Sequence, residues 1–264
     1  MQISGSKVLL TGATGGLGHA IARELRGRGA DLVLTGRRVD VLEPLAAETA
    51  GVAVQADLAV RGDVERLISD HADTDILIAN AALPASGHIH SFDTQEIDLA
   101  LEVNLRAVMI LAHALSAQMV RRGRGQVVLI SSLAGMSGQT GSSVYSATKF
   151  ALRGFAQSMR GDLRDANVGV SCIFPGFVRD AGMYADSGVK LPAWVGTSTP
   201  QQVSAAVTRA ITRNRGEVVV APLPMRVSAI LAGIVPELAA AVARRAGGGA
   251  VSGSFAEGQR DKRR

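Results

Sequence analysis

The sequence predicts a doubly wound α/β fold, a parallel sheet of about seven strands with helices on both faces. Three observations predict it. Short β-branched and leucine-rich runs alternate with longer helical patterns from the start of the chain. The runs are apolar almost throughout, as in Val127-Val128-Leu129-Ile130, which requires burial on both sides of a sheet. A glycine-rich turn joins the first run to the first helical stretch.

Lys7–Thr11 reads as the first strand, and about Gly16 to Arg28 as the first helix. Asp31–Thr35 and Val39–Thr49 repeat the pair. Val52–Gln55, Asp75–Ala79, Gln126–Ser131 and Val168–Phe174 continue the strands with helical stretches between them, and Glu217–Ala221 is a weaker final run. Right-handed crossovers between such units give the doubly wound arrangement. From 179 to 200 the pattern is irregular, with Gly182, Gly188, Pro192 and Gly196. It follows the C-terminal end of a strand, where open α/β sheets bind ligands, and reads as a substrate lid, although a plain surface loop has the same composition. Helices over about 222–246 complete a single domain spanning 1–246. Gly247-Gly248-Gly249 then opens a basic tail, 247–264, expected to be flexible.

With 264 residues, 47% of them hydrophobic, the chain can bury a substantial core, which excludes wholesale disorder. The single cysteine, Cys172, excludes a disulfide framework and points to a reducing compartment. The N-terminus has no signal-peptide character, so a cytoplasmic protein is expected. The apolar stretch Val227 to Val235 is stopped by Pro236 and Glu237, short of the roughly 18–20 residues of a membrane span. A net charge of +5 raises the question of nucleic acid, but the basic residues are scattered and aromatics are 3%, too few for a stacking surface. No nucleic-acid partner is expected. His88 and His90 stand two apart without a Cys or carboxylate cluster, so no metal is expected either.

Thr11-Gly12-Ala13-Thr14-Gly15-Gly16-Leu17-Gly18 follows the first strand directly. It lacks the G-x-G-x-x-G spacing and reads G-x-x-x-G-x-G through Gly12, Gly16 and Gly18. Glycines there let the backbone turn sharply and approach a pyrophosphate, whose charge the helix N-terminus stabilises. A tight strand-to-helix turn without function uses the same residues; the position after the first strand favours a dinucleotide. NAD-binding units place an acid at the end of the second strand for the ribose 2′-OH. Here that strand ends Leu34-Thr35-Gly36-Arg37-Arg38, with two guanidinium groups and no carboxylate. A 2′-phosphate paired with one of them gains on the order of 4 kcal/mol of gross Coulomb energy before desolvation, so NADP is favoured over NAD.

Tyrosine occurs only at 145 and 184. Tyr145 precedes Lys149 by four residues, which puts phenol and ammonium on one helical face. Ser131 and Ser132 end a buried strand upstream. Reducing a carbonyl by hydride leaves an alkoxide that needs a proton. A phenol serves near pH 7 only if its pKa falls by roughly 3 units, about 4 kcal/mol. A neighbouring ammonium and an oxidised nicotinamide are the expected source of that fall, with a serine hydroxyl orienting the carbonyl oxygen.

With these motifs in place, the sequence resembles the short-chain dehydrogenase/reductase family over roughly residues 5 to 220. The matching elements run in family order: the glycine turn, Asp57-Leu58, Asn80-Ala81, Asn104, Ser132, Tyr145, Lys149 and Pro175-Gly176. The resemblance implies a Rossmann-type fold and a catalytic tetrad of Asn104, Ser132, Tyr145 and Lys149. It implies that Tyr145 is the acid/base, that Lys149 holds the nicotinamide ribose, and that Asn104 supports a water relay. Cofactor contacts are implied for Gly12, Thr14, Gly15, Gly16, Leu17, Gly18, Arg37, Arg38, Asp57, Leu58, Asn80, Ala81, Pro175, Gly176 and Val178. The family's Asn-Asn-Ala-Gly reads Ala79-Asn80-Ala81-Ala82 here, and its threonine after Pro-Gly is replaced by Asp180.

The expected activity is an NADP-dependent interconversion of a carbonyl and a secondary alcohol. A catalytically silent dinucleotide sensor on the same fold is the alternative. Met183, Leu191, Pro192, Trp194 and Val195 hint at a hydrophobic small-molecule substrate. The long helices around Asn104–Val120 and Tyr145–Leu163 are, by the resemblance, subunit contacts of a homodimer or homotetramer. For Pro222–Arg245, packing over the active-site side of the domain is favoured over docking on a membrane surface or a partner.

Overall fold

The computed structural model describes residues 1–185, 196–237 and 241. Seven strands form one parallel sheet in the order β3-β2-β1-β4-β5-β6-β7. They are β1 (Lys7–Thr11), β2 (Asp31–Gly36), β3 (Val52–Gln55), β4 (Ile76–Ala79), β5 (Gly125–Ile130), β6 (Val168–Pro175) and β7 (Glu217–Val220). The helices are α1 (Gly16–Arg26), α2 (Val39–Thr49), α3 (Arg61–Asp70), α4 (Thr94–Leu101), α5 (Ala107–Arg122), α6 (Ser143–Asp162), the short α7 (Gly182–Ala185), α8 (Pro200–Arg213) and α9 (Leu223–Ile234).

The period-two alternation of the strands divides the interior into two cores. Val8, Leu10, Ile76, Ile78, Val128 and Ile130 face α1, α2 and α8, meeting Ile21, Leu25, Leu42, Leu45, Val203 and Ile211. Leu9, Leu77, Val127 and Leu129 face the other way, meeting Val64 and Leu67 of α3, Leu111 and Leu115 of α5, and Leu152 of α6. The register Leu9↔Leu77 and Leu77↔Val127 keeps each row in line across the sheet. Strand order reverses between β1 and β4, so the loops after these two strands diverge to opposite faces and open a crevice at the carboxyl edge.

Beyond one-residue shifts at the ends of β2, β4, β5, β6 and β7, two features differ from the sequence expectation, for local reasons. The first helix ends at Arg26, because the N–H groups of Arg28 and Gly29 switch to the i−3 carbonyls of Leu25 and Arg26 and Gly29 turns the chain with φ +80°. Asn104 does not lie in a continuous α-helix. A π-helical turn, Glu102–Arg106, separates α4 from α5 and contains it. The run Thr94–Arg122 is long and apolar enough to cross a membrane by length and composition, with mean hydropathy 1.4 in its best window. Half of that window is buried inside the protein, where Val108, Leu111, Leu115 and Met119 join the core.

Residues 186–195 of the expected lid, including Leu191, Pro192, Trp194 and Val195, and all of the tail 247–264 lie outside the described residues.

Candidate active site

The first wall of the crevice is the turn after β1, shaped by backbone contact. Gly12 has φ +66°, and a Cβ there would lie 2.7 Å from the Ala81 Cα. A Cβ on Gly18 would run into the Gly12 carbonyl oxygen and reach the Ala13 Cα at 2.7 Å. The turn is therefore pressed against the loop after β4 and against itself. Outward, a Cβ at Gly15 would meet only the Gly12 carbonyl at 3.5 Å. Gly15 caps α1 without a side-chain hydrogen bond, and the first turn holds no acid. The first-turn N–H groups of α1 thus have neither a side-chain cap nor an acid in their own turn.

Neighbouring residues hold this turn in place. Asn80 donates from Nδ2 to the carbonyls of Thr11 (3.1 Å) and Gly12 (3.0 Å). Thr11 Oγ1 accepts from the backbone N–H groups of Asn80 and Ala81, each at 3.1 Å. As a positioning group Thr11 goes beyond its place in the glycine motif. A polar residue ending an apolar strand, and fully buried in the fold, was the available signal. Arg38 donates to the Thr14 carbonyl at 2.7 Å, which commits its guanidinium to the turn. Arg37 is exposed, and among the described residues its guanidinium has no hydrogen-bond or ion-pair partner. The two arginines, equivalent in the sequence, are distinct in the fold.

Asp57 accepts from the Ala59 N–H at 3.0 Å, and its own N–H donates to Asp63 at 2.8 Å, which holds the Asp63 carboxyl below the usual range. Leu58 is buried in the core. At the other end of the crevice the Gly176 N–H donates to the Val220 carbonyl at 2.9 Å, and Val178 pairs with Ser198. The Asp180 carboxylate is exposed, 3.5 Å from the Arg179 guanidinium, on a residue with φ +66°. A Cβ on Gly16 would come within 2.7 Å of the Ala181 Cβ, so the chain after β6 closes over the glycine turn.

The second wall is made by the end of β5 and by α6. Ser132 accepts from the Ala134 N–H at 3.2 Å and opens a short 3-10 turn, Leu133–Gly135. Ser131 donates to the Lys149 carbonyl at 2.9 Å and fixes α6 to the strand. One helical turn then brings the Lys149 ammonium to 5.5 Å from the Tyr145 ring centroid, as the i, i+4 spacing requires. Ser132, Tyr145 and Lys149 come together. Asn104 is fully buried and spends both ends of its amide on Leu83, accepting from its N–H at 2.6 Å and donating to its carbonyl at 2.9 Å. It positions the loop after β4 from within the π-helical turn, which packs on α6.

Burial dominates the electrostatics of this wall. Burial pushes the Tyr145 hydroxyl up to about 12, and a hydrogen bond from Ser132 pulls only partly the other way. Lys149 does not offset this, because its ammonium donates to the Ile130 carbonyl at 3.0 Å. Burial in turn brings Lys149 down to about 8. Both groups are held toward their neutral forms. His88 and His90 are exposed, and among the described residues no cluster of three His, Cys, Asp or Glu could hold a metal.

Residues 6–190 match the family model described as short chain dehydrogenase. The ketoacyl reductase HetN of Nostoc sp. is 36% identical over 232 residues, covering 84% of this chain and 81% of that protein. Nodulation protein G of Rhizobium sp. is 38% identical over 187 residues, 68% of this chain and 76% of that protein. Among solved structures, a short-chain dehydrogenase from Sphingobium yanoikuyae in complex with NADPH superposes with a TM-score of 0.75 at 28% identity, over 81% of this chain and 87% of its own. A metagenomic short-chain oxidoreductase in complex with NADP gives 0.69 at 30% identity, over 84% and 99%. The parallel sheet with its reversed strand order and the length of these matches agree, and the chain belongs to the short-chain dehydrogenase family of oxidoreductases.

Proposed function

We propose that the protein is an NADP(H)-dependent oxidoreductase that interconverts a carbonyl and a secondary alcohol. The observation that carries this reading is the cluster of half-buried Ser132 and Tyr145 with buried Lys149, brought together by the end of β5 and α6 at the carboxyl edge of the sheet. The residues present fit a nicotinamide dinucleotide. Gly12, Thr14, Gly15, Gly16, Leu17 and Gly18 offer a free helix N-terminus to its pyrophosphate. Arg37 offers an uncommitted guanidinium to a 2′-phosphate, with Arg38 shaping the turn beside it. Asp57 and Leu58 would border the adenine, Asn80 and Ala81 the adjoining ribose, and Pro175, Gly176 and Val178 the nicotinamide end. When bound, such a group supplies or accepts the hydride.

In this reading Ser132 holds the substrate oxygen by a hydrogen bond, and the Tyr145 hydroxyl gives it a proton or takes one back. Lys149 has to leave the Ile130 carbonyl for a nucleotide ribose. Its charge would then stand beside the phenol, where a cation lowers a tyrosine pKa. Asn104 acts through Leu83 as a positioning residue. Apolar side chains exposed on α4, α5 and α6 (Leu101, Met109, Val120 and Phe150) support an assembly of two or four copies.

The test is NADPH consumption across a panel of ketones and aldehydes. Tyr145→Phe should lose about 10²- to 10⁴-fold in turnover while retaining nucleotide affinity. Equal turnover by both proteins would remove the role of Tyr145. A silent sensor draws support from the raised phenol and the engaged ammonium, and nucleotide binding without turnover across the whole panel would decide for it.

A further inference from the structure

The helix that follows β7 has apolar side chains on both of its faces. Toward the protein, Ala229 is buried, Met225 packs on the core, and a Cβ at Gly233 would lie 3.0 Å from the Met136 carbonyl. Toward solvent, Leu223, Val227, Ile230, Leu231 and Ile234 are exposed by 70%, 47%, 48%, 53% and 70%. At about 100° per residue, four of these five fall within an arc of about 60°, a continuous stripe. The ordinary packing expected for this segment accounts for only one of its faces.

Arg226 lies at the margin of the stripe and also lines an adjoining cleft between α8, β7 and the start of α9. That cleft is further lined by Arg28, Arg209 and Arg213, and among the described residues no carboxylate lines it. Glu24 pairs with Arg28 at 2.8 Å, while Arg209, Arg213 and Arg226 have no acidic partner among the described residues. From Leu223 onward the sequence holds seven Lys and Arg against three Asp and Glu, so this region carries +4 of the net charge of +5.

We propose that this face docks on an anionic lipid surface. The α9 stripe enters the boundary between headgroups and acyl chains, and the arginines of the neighbouring cleft bind headgroup phosphates. A helix of 12 residues is about 18 Å long, so it lies in the interface and does not span the bilayer. A second copy is disfavoured as occupant because it would bring two sets of unpaired arginines together. The chain's own C-terminus is a poor cover too. After Glu237 its large apolar residues are Leu238, Val242, Val251 and Phe255, widely spaced and accompanied by Arg244 and Arg245. The face adjoins the candidate active site, since α9 packs on Met136 of the loop that begins at Ser132.

Sedimentation of the full chain with vesicles of phosphatidylcholine, alone or mixed with phosphatidylglycerol, tests the proposal. Binding is expected to the mixed vesicles, to weaken with salt, and to fall about fivefold for each of Arg209→Ala and Arg213→Ala. Leu223→Gln and Ile234→Gln replace side chains that are 70% exposed, so the fold is retained, and each should weaken binding several-fold. Equal or absent binding to the two vesicle types would overturn the proposal, as would binding indifferent to both glutamine variants. A dimer by light scattering that Ile234→Gln converts to a monomer, without vesicle binding by the native chain, would assign the stripe to a second copy instead.

Discussion

The two walls of the crevice are built on different principles. The glycine turn owes its shape to backbone packing: Gly12 against Ala81, Gly18 against Ala13, and Asn80 and Thr11 tying both loops together. No titratable side chain takes part except Arg38, through one hydrogen bond to a carbonyl. The opposite wall is built from side chains held in unfavourable surroundings, a half-buried phenol and a buried ammonium. The first wall is stable because its parts fit. The second sacrifices stability to keep reactive groups where a ligand can recruit them. A substitution in the first should therefore damage folding, and one in the second should damage chemistry and change the pH dependence of stability.

The largest expected effect belongs to the first wall. Gly18→Val places carbon atoms on backbone that cannot retreat, and should cost about 4 kcal/mol, lowering Tm by on the order of 10 °C in a calorimetric scan. Gly62→Ala in α3, where a Cβ would meet nothing within 4 Å, should instead raise Tm slightly. Matching effects at the two positions would show that close packing is not what the turn requires.

The second effect separates the walls by pH. Lys149 titrates near 8 in the folded chain and near 10.5 when unfolded, so the unfolded chain binds more protons between these values and stability rises with pH across that window. Cys172 and Tyr145, both pushed up to about 12 by burial, act in the opposite sense as pH rises from 9 and from 10 respectively. Subtracting Lys149→Met from the native profile removes their contribution. Between pH 8 and 10.5 the native protein should gain on the order of 3 kcal/mol relative to the variant in denaturant titrations. Parallel profiles would mean that the ammonium is not buried as described.

The smallest effect tests the division between the arginines. Arg37→Ala should raise KM for NADPH about tenfold to a hundredfold and leave NADH unchanged. Arg38→Ala loosens the Thr14 carbonyl and should weaken both nucleotides alike. A selective loss in Arg38→Ala alone would exchange their roles.

Much of the fold was legible in order of appearance. β1, α2 and β3 lie at the expected residues, because alternating and continuous apolar runs report burial directly. The glycine turn was legible from Gly12 and Gly18, since those residues are needed for geometry that is local in sequence. The pairing of Tyr145 with Lys149 was legible because it follows from one helical turn. The π-helical turn at Asn104 left no periodic signature, being a single-residue expansion fixed by hydrogen bonds to Leu83 in another segment.

What the sequence determined by itself is therefore what depends on near neighbours: strand and helix character, the bend after β1, and which side chains share a helical face. Tertiary structure decided the long-range and energetic matters. It committed Arg38 and left Arg37 uncommitted, turned the Lys149 ammonium toward the Ile130 carbonyl, and left one side of α9 exposed. The reason is that desolvation and hydrogen-bond choice depend on atoms brought together from distant parts of the chain, and periodicity carries no record of them.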